Sequence, residues 1–289
     1  MRALVTGVSG FAGSWLSALL TKKGYNVVGW SRRPPAFGAP TMVHRSVDVR
    51  DALQCQRAMK EASPDVVFHL AANANPRSCE SDPDDAIRTN VEGTVNVFSA
   101  MPNGAVGVHV STCHVYGSGH TDSIDESAAT QASGVYARTK LAAEEWIVQS
   151  SLPIIRARAF HHTGPNQGPD FAVADWCSRV RMGKESIRVG NLDAIRDYSD
   201  VRDIVAGYLL LAECGNPGEV YNLCSGIGRS MHEILATVIG TRPIQVVVDD
   251  SRLRPLETQI LVGNPGKAMA AGWRPHFTLA DTLREMSGA

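Results

Sequence analysis

Short apolar runs alternate with helix-like stretches over the first two thirds of the chain. Several of the runs are apolar on successive residues, which is typical of strands covered on both faces. This alternation predicts βαβ units around a parallel sheet. The predicted strands are Met1–Thr6, Asn26–Trp30, Asp65–Leu70, Ala105–Ser111 and Pro153–Ala159, and the predicted helices are Phe11–Lys23, Asp51–Ala62, Asp84–Met101 and Tyr136–Ser150.

The last third of the chain is less regular. It predicts helices near Phe171–Met182 and Val201–Cys214, separated by turn-rich stretches such as 224–228. We therefore predict an α/β fold, a Rossmann-type doubly wound parallel sheet with a smaller, mixed C-terminal lobe. Residues 1–160 would form the dinucleotide-binding domain and residues 161–289 mainly the substrate-binding lobe. The boundary is soft, because we expect the chain to cross between the two.

Composition narrows the class of protein. The 289 residues are 44% hydrophobic, enough for a sizeable core, and the net charge of -1 gives no sign of a nucleic-acid or anionic-membrane partner. No apolar run reaches the roughly 18 residues that a membrane span needs. The six cysteines show no CxxC spacing and the histidines no ligand spacing, so we expect no metal site. A reducing cytoplasm is the simplest compartment for this composition.

A glycine pattern joins the first predicted strand to the first predicted helix. Gly7, Gly10 and Gly13 flank Phe11 and Ala12 at this junction. Glycines there allow a tight turn and close approach of the backbone to a pyrophosphate, while the helix N-terminus supplies N–H donors. We predict that these five residues bind a dinucleotide. Glycines also occur in ordinary strand-to-helix turns, and the position of the pattern after the first strand favours the cofactor interpretation.

The end of the second predicted strand indicates which dinucleotide is bound. NAD-preferring sites place a carboxylate there to bind the ribose hydroxyls. This chain instead has Arg32 and Arg33, whose planar donors suit a 2′-phosphate. NADP(H) is therefore favoured, with NAD(H) possible, unless the two arginines are only solvated loop charges. We also predict that Asp48 and Val49, at the end of a third strand, lie against the adenine ring.

Tyr136 and Lys140 form the predicted catalytic pair. A spacing of four residues places them on one helical face, about 6 Å apart along the axis. A nearby ammonium favours the phenolate, so we expect Lys140 to lower the pKa of Tyr136. Tyr136 would then pass its proton to a ketone oxygen during reduction, and Lys140 would also hold the nicotinamide ribose. The same spacing occurs on ordinary amphipathic helices.

The strand end at residues 110–117 supplies further candidates. Thr112 is predicted to hydrogen bond the substrate oxygen beside Tyr136. Ser111 is nearer the strand and is predicted to position the cofactor or backbone. His114 is a competent acid or base, and two interpretations stay open. It is either a catalytic base or a substrate hydrogen-bonding residue that lines the pocket.

These segments resemble the extended short-chain dehydrogenase/reductase family, whose members act largely on nucleotide-activated sugars. The resemblance covers nearly the whole chain. It implies cofactor contacts for Leu70, Ala71 and Ala72, and also for Phe160 and His162. The matching segments are Thr6–Gly13, His69–Ala72, Asn90 before Gly93-Thr94, the Ser111-Thr112 strand end, Tyr136–Lys140, Arg158–Pro165, Gly190–Asp203, Val220–Gly226, Arg254–Glu257 and Gly272–Pro275.

The later segments look like the GDP-mannose branch of the family, and within it the GDP-4-keto-6-deoxy-mannose reductases. By this resemblance Arg196 and Arg254 clamp the diphosphate of a sugar nucleotide, a role suited to bidentate arginine. The alternative for each is an ion pair with a neighbour such as Asp197 or Glu257. Glu257 itself is also a predicted substrate contact.

Two residues depart from the branch pattern. His114 stands where dehydratases carry an acidic residue, which argues against dehydration. His161 replaces the usual asparagine, and it is predicted to contact substrate together with His162.

The resulting hypothesis is an NADPH-dependent reductase that acts on the C4 ketone of a 4-keto-6-deoxy nucleotide sugar. One alternative is a dehydratase or epimerase that keeps and recycles its cofactor. Another is a non-catalytic dinucleotide sensor or scaffold, against which the intact Thr112, Tyr136 and Lys140 argue. The resemblance also implies a homodimer that pairs the helices predicted at Asp84–Met101 and Tyr136–Ser150.

Overall fold

The computed structural model describes residues 1–252 and 258–288. Its elements follow the alternation that the sequence predicts. In chain order they are β1 (Arg2–Thr6), α1 (Phe11–Lys22), β2 (Asn26–Ser31), β3 (Val43–Ser46), α2 (Ala52–Ala62), β4 (Val66–His69), α3 (Pro76–Ser81), α4 (Pro83–Ile87), α5 (Gly93–Ser99), β5 (Val106–Thr112), α6 (Gly134–Ser150), β6 (Ile154–Ala159), β7 (His161–Thr163), α7 (Ala172–Arg181), β8 (Ser186–Val189), β9 (Ile195–Asp200), α8 (Val201–Cys214), β10 (Val220–Leu223), β11 (Gly228–Ser230), α9 (Met231–Ile239), β12 (Gln245–Val248), β13 (Ile260–Leu261), α10 (Gly266–Ala270) and α11 (Leu279–Ser287).

Seven parallel strands form the central sheet in the spatial order β3-β2-β1-β4-β5-β6-β10. The chain winds outward from β1 in both directions, so the strand order reverses between β1 and β4. Ligands of open α/β sheets bind in the crevice outside the carboxyl ends of the strands at such a point. The predicted doubly wound Rossmann-type fold is confirmed.

The predicted strands of the sheet are confirmed because their apolar runs are buried on both faces. All four residues of β4 are buried, and so are four of the five residues of β1. Strand β3 lies outside the predicted apolar runs. Its residues are mostly exposed at the sheet edge, where burial does not require an apolar run.

The helix predicted over Asp84–Met101 is interrupted. A π-helical segment, Arg88–Glu92, separates α4 from α5. Within it the Asn90 side chain is buried, and its Oδ1 accepts from the Asn73 N–H at 2.8 Å. Thr94 Oγ1 donates to the Asn90 carbonyl at 2.6 Å, a side-chain bond to the backbone one turn earlier. These contacts hold the buried Asn90 side chain inward within the irregular turn.

The C-terminal part of the chain contributes both to the central sheet region and to a second lobe. Helix α8 packs against α1, and Tyr208 shares an apolar core with Leu16 of α1. Strand β10 then pairs with β6 at the edge of the central sheet. A separate core that includes Trp176, Ile234 and Leu283 holds α7, α9 and α11 together. The chain thus leaves the central sheet after β6 and returns to it at residues 201–223.

Candidate active site

One large cleft opens at the carboxyl ends of the central strands and continues along the second lobe. Its volume is about 2020 Å³, whereas pockets for a single small ligand measure about 300–1,000 Å³. The glycine turn lines one side and residues of α7 line another. The cleft therefore has room for a dinucleotide and a second large ligand side by side.

The glycine turn leaves no space for side chains. Gly7 has a φ of 70°, and a Cβ there would lie 2.7 Å from the Ala71 nitrogen. A Cβ on Gly13 would lie 2.3 Å from the Gly7 carbonyl oxygen. Gly10 precedes the first residue of α1, Phe11, and Phe11 and Ala12 also line the cleft. The turn thus presents backbone and a helix N-terminus to the cleft, an arrangement that suits a pyrophosphate.

A buried hydrogen-bond chain holds the Leu70–Ala72 segment against this turn. Thr6 Oγ1 accepts from the Ala71 N–H at 3.1 Å and donates to His69 Nδ1 at 2.8 Å. His69 Nε2 donates to Thr94 Oγ1 at 3.1 Å, because that hydroxyl gives its own proton to a backbone carbonyl. Burial lowers the pKa of His69 to about 3, so the ring is neutral and bridges the two threonines. Leu70, Ala71 and Ala72 line the cleft.

Basic side chains dominate the far end of the dinucleotide side. Arg32 and Arg33, directly after β2, line the cleft. Asp48 and Val49, which follow β3, line it as well. The Asp48 carboxylate is bound by Arg50, with Nε at 2.9 Å and Nη2 at 2.6 Å. This guanidinium is the main cause that lowers the pKa of Asp48. The carboxylate is thus neutralised by Arg50, and the arginines set the charge of this end.

Thr112, Tyr136 and Lys140 meet in the cleft. Thr112 is the last residue of β5, and Tyr136 and Lys140 lie on successive turns of α6. Thr112 is the side chain that opposes the rise in the pKa of Tyr136, which makes the two residues neighbours. Thr112 and Lys140 are 5% and 3% exposed, so the small accessible area of each faces the cleft. The structure therefore brings the three residues together where the dinucleotide side meets the second-lobe side.

The pKa of Tyr136 moves in the direction opposite to that expected from the sequence. Enclosure of the phenol raises this pKa above its ordinary value of 10, although the Thr112 side chain opposes the change. The expected lowering is therefore wrong for this structure, because desolvation disfavours the phenolate. Burial also lowers the pKa of Lys140 to about 8, against the attraction of Glu144. At neutral pH the pair is a protonated phenol beside an ammonium, which suits a proton donor.

The sequence analysis did not predict a buried ion pair that lies one helical turn from Lys140. Glu144, one turn further along α6, is bound by Arg158 through Nε at 3.0 Å and Nη2 at 2.7 Å. The Ser111 hydroxyl also donates to Glu144. Ser111 is thus directed at the helix, although it also lines the cleft. The spacing of Glu144 from Lys140 could have indicated it, whereas nothing in the sequence pairs it with Arg158.

Three aromatic rings continue from Tyr136 into the second-lobe side of the cleft. The His114 ring lies 6.0 Å from the Tyr136 ring and 5.3 Å from the His161 ring, centroid to centroid. Tyr198 lies 5.2 Å beyond His161. All four residues line the cleft. The structure therefore places His114 beside the tyrosine and His161 beside His114.

The His162 side chain lies away from these rings, against Phe11. Its ring stacks on Phe11 at 6.2 Å, and its Nδ1 donates to the Phe160 carbonyl at 3.0 Å. Burial lowers the pKa of His162. Phe160 is 1% exposed and packs 6.3 Å from Tyr116. His162 thus lies on the dinucleotide side of the cleft, next to the glycine turn.

Arg196 reaches the cleft from β9. It is 8% exposed, and its Nη1 donates to the Ile195 and Gln259 carbonyls at 2.9 and 3.2 Å. Its neighbour Asp197 accepts from the Ser225 side chain and from nearby backbone N–H groups. Arg254 and Glu257, the other predicted substrate contacts, lie outside the described residues.

The second lobe adds charged residues that the sequence did not indicate. Asp175 and Arg179 of α7 and Arg252 after β12 line the cleft together. Arg252 is far from the other two in sequence, so no local pattern connects them. Within residues 1–252 and 258–288 no group of three or more His, Cys, Asp or Glu side chains is arranged to hold a metal ion. In the same residues no helix is long and apolar enough to cross a membrane.

A doubly wound sheet, a glycine turn at its switch point and a Tyr-Lys pair define a nicotinamide-dependent enzyme. The chain belongs to the NAD dependent epimerase/dehydratase family, whose sequence profile matches residues 3–224. Over 300 residues it is 30% identical to the GDP-6-deoxy-D-mannose reductase of Pseudomonas aeruginosa, covering 98% of this chain and 95% of that one.

Two solved structures place the fold among known enzymes. The RMD protein of Pseudomonas aeruginosa, complexed with NADPH, matches with a TM-score of 0.86 and 28% identity, over 99% of this chain and 97% of that one. The UDP-glucose 4-epimerase of Thermus thermophilus, in complex with NAD, matches with a TM-score of 0.90 and 28% identity, over the whole of both chains.

Proposed function

We propose that this protein uses NADPH to reduce the C4 ketone of a nucleotide-linked 4-keto-6-deoxy sugar, converting GDP-4-keto-6-deoxy-D-mannose into GDP-D-rhamnose. The observation that carries the proposal is the meeting of Thr112, Tyr136 and Lys140 between the two sides of the cleft. A protonated phenol at this place is the group that reduction of a ketone needs. The relation to a GDP-6-deoxy-D-mannose reductase supports this substrate class.

The residues of the dinucleotide side fit the cofactor. Gly7, Gly10 and Gly13 would hold its pyrophosphate, because their turn offers backbone donors and excludes side chains. When bound, the reduced nicotinamide supplies a hydride to the ketone carbon. Lys140 would hold the ribose next to the nicotinamide. Leu70–Ala72 would line the opposite wall.

The proton steps belong to this chain's own side chains. The Tyr136 hydroxyl donates its proton to the ketone oxygen, which becomes the product hydroxyl. The Thr112 hydroxyl donates a hydrogen bond to the same oxygen and keeps it next to the phenol. The Lys140 ammonium then stabilises the phenolate that Tyr136 becomes, in a buried setting where a charge pair is strong.

The charge at the end of β2 supports NADP(H). Arg32 and Arg33 line the cleft there, and the nearby Asp48 carboxylate is bound by Arg50. A 2′-phosphate therefore meets guanidinium groups rather than an uncompensated carboxylate. The NADPH complex of the related Pseudomonas protein agrees with this preference.

The proposed substrate contacts follow from where residues lie in the cleft and from the family resemblance. Arg196, together with Arg254 as the resemblance implies, would bind the diphosphate. His161 lines the cleft and would contact the sugar, whereas His162 stacks on Phe11 and would contact the cofactor. Glu257 keeps its predicted role as a substrate contact.

Purified protein given GDP-4-keto-6-deoxy-D-mannose and NADPH tests the proposal directly. Absorbance at the NADPH band should fall in a one-to-one ratio to product, and the product mass should rise by two hydrogens. Unchanged absorbance with a competent substrate preparation would exclude reduction of this sugar.

The histidine pair favours one second candidate, an epimerase or dehydratase that recycles its cofactor. His114 lies beside Tyr136 and His161 lies beside His114, where an imidazole could move a proton at a sugar carbon. Conversion of GDP-mannose or of the keto sugar without added NADPH would favour this candidate. Absence of conversion in that assay, together with NADPH oxidation in the first, would leave only the reductase.

We also infer a homodimer from the same resemblance. The large apolar side chains Ile87 of α4 and Val148 of α6 are 44% and 58% exposed, on the helices expected to pair. Sedimentation equilibrium should then give twice the 31.0 kDa chain mass. A monomer at micromolar concentration would contradict this inference.

A further inference from the structure

A guanidinium–carboxylate group lies on the second-lobe side of the cleft. Arg179 Nε donates to Asp175 Oδ1 at 2.8 Å, and Arg252 Nη1 donates to Asp175 Oδ2 at 3.3 Å. The Asp175 side chain is 15% exposed, whereas Arg179 and Arg252 are 35% and 31% exposed. The carboxylate is therefore held in place between two arginines, and all three side chains line the cleft.

The surroundings of this group suit a flat ring. A Cβ on Gly190 would lie 2.8 Å from the Arg252 carbonyl oxygen, so backbone rather than side chain forms the wall there. Phe171, next to α7, is 43% exposed although it is a large apolar residue, and it lines the same cleft. An exposed aromatic residue and a fixed carboxylate in the same cleft are a setting in which a planar, polar-edged ring can bind.

The donor and acceptor pattern of the group distinguishes between bases. A carboxylate has about four acceptor positions, and the two arginines occupy one on each oxygen. Two acceptor positions therefore remain, one on each oxygen, for two neighbouring N–H groups of a ligand. Guanine offers N1–H and the 2-amino group side by side, with O6 and N7 as acceptors that arginine binds. Uracil and thymine offer a single N–H flanked by carbonyl oxygens, which a carboxylate repels.

We propose that Asp175, held between Arg179 and Arg252, recognises the base of the nucleotide sugar and selects guanine. The inference rests on the proposed function in that it requires a nucleotide on the second-lobe side of the cleft. It is independent of the reaction that follows. It assigns base selection to α7 and to the turn after β12, apart from the diphosphate contacts of Arg196.

Binding of nucleoside diphosphates to the wild-type protein saturated with NADPH is the first test. GDP should bind roughly 10-fold or more tightly than IDP, which lacks the 2-amino group but is otherwise the same ring. XDP, with an oxygen at that position, should bind roughly 100-fold more weakly than GDP. UDP should also bind weakly. Equal affinities for GDP and IDP would overturn the proposal without any variant.

The Asp175→Asn variant provides a gain of binding that misfolding cannot imitate. The amide keeps one acceptor for N1–H but presents a donor to the position that the carboxylate formerly served. XDP should therefore bind the variant more tightly than GDP does, a reversal of preference of roughly 100-fold or more relative to wild type. A variant that still prefers GDP over XDP by the wild-type ratio would exclude Asp175 as the base-recognition residue.

Asp249→Asn is the matched control. Asp249 Oδ2 lies 3.7 Å from Arg252 Nε and 3.6 Å from Arg188 Nη1, so the variant removes a similar charge from the same arginine. Asp249 is outside the described lining of the cleft. Its GDP-to-XDP ratio should equal that of wild type. Titrations of this kind need no turnover, so failure of base selection and failure of the reductase proposal are separate results.

Discussion

Glu144 and Arg158 form a buried ion pair one turn of α6 beyond Lys140. Two Arg158 nitrogens, Nε and Nη2, donate to the carboxylate, and the side chains are 2% and 6% exposed. Glu144 follows Lys140 by one turn of α6, so this pair joins the helix that carries Tyr136 to strand β6. The arrangement makes the position of Lys140 dependent on a contact between two distant segments.

Replacement of Glu144 by Gln should destabilise the fold. It leaves the Arg158 charge buried without its partner, and loss of one member of a buried pair costs about 3–5 kcal/mol. Urea unfolding at pH 7 measures the loss. Glu145→Gln, at the exposed neighbouring position, should change the free energy of unfolding by less than about 0.5 kcal/mol. Similar losses in both variants would show that the Arg158 pair contributes little.

Tyr136→Phe should lower kcat by at least about 100-fold, because it removes the proton donor and keeps the ring. The Kd for NADPH should change less than about 2-fold. Steady-state assays and fluorescence titration measure the two quantities. The control is Tyr25→Phe, whose hydroxyl bonds Glu213 at 2.9 Å, outside the cleft lining. Retained turnover in Tyr136→Phe would transfer the proton step to another group, of which His114 is the nearest candidate.

Arg32→Ala should weaken NADPH binding roughly 10- to 100-fold, because a charge-assisted hydrogen bond to the 2′-phosphate is lost. NADH carries no such phosphate, so its Kd should change little. Calorimetric titration with both cofactors gives the comparison, and Arg45→Ala on exposed strand β3 serves as the control. Equal losses for the two cofactors would contradict recognition of the 2′-phosphate by Arg32.

The pH profile of kcat/KM should reflect the ionisation of the Lys140 ammonium. Burial lowers the pKa of Lys140 to about 8, so the ammonium is present below pH 8 and is lost as the pH rises through that value. Activity should fall accordingly. The pKa of Tyr136 is raised, so its phenol stays protonated over the same range. Lys140→Arg should lower the maximal rate and remove this falling limb up to pH 10, because arginine stays charged. A limb that persists in Lys140→Arg would belong to another group.

The stacked pair His69 and His109 should make the fold sensitive to acid. Their rings lie 5.8 Å apart, and burial lowers both pKa values below the ordinary 6.5. Below pH 6.5 the unfolded chain binds protons that the folded protein does not. The contribution of the two neutral rings to the free energy of unfolding is therefore complete above pH 6.5 and decreases as the pH drops. Each such histidine contributes a slope of about 1.4 kcal/mol per pH unit.

His109→Phe should therefore make the pH dependence of unfolding between pH 6 and pH 4 shallower by about 1.4 kcal/mol per unit. Urea unfolding at a series of pH values measures the slope. His232→Gln, at an exposed position of α9, is the control and should keep the wild-type slope. An unchanged slope in His109→Phe would mean that this ring is protonated in the folded protein.

Local features of the sequence were enough for much of this protein. Apolar runs predicted the buried strands, because a strand covered on both faces has to be apolar throughout. The glycine turn and the Tyr136–Lys140 spacing each lie within one element or one junction, so chain geometry alone brings their residues together. The position of Arg32 at the end of β2 was predictable for the same reason, because it directly follows that strand.

The tertiary structure decided what depends on distant segments and on burial. The contacts of Glu144 with Arg158, of His114 with His161, and of Asp175 with Arg252 join elements that only folding brings close. The direction of the Tyr136 pKa change was decided there as well, because desolvation is a property of the assembled cleft. The sequence by itself determined the fold family and the spacing of Tyr136 and Lys140, whereas the charges and shape around that pair arose from packing.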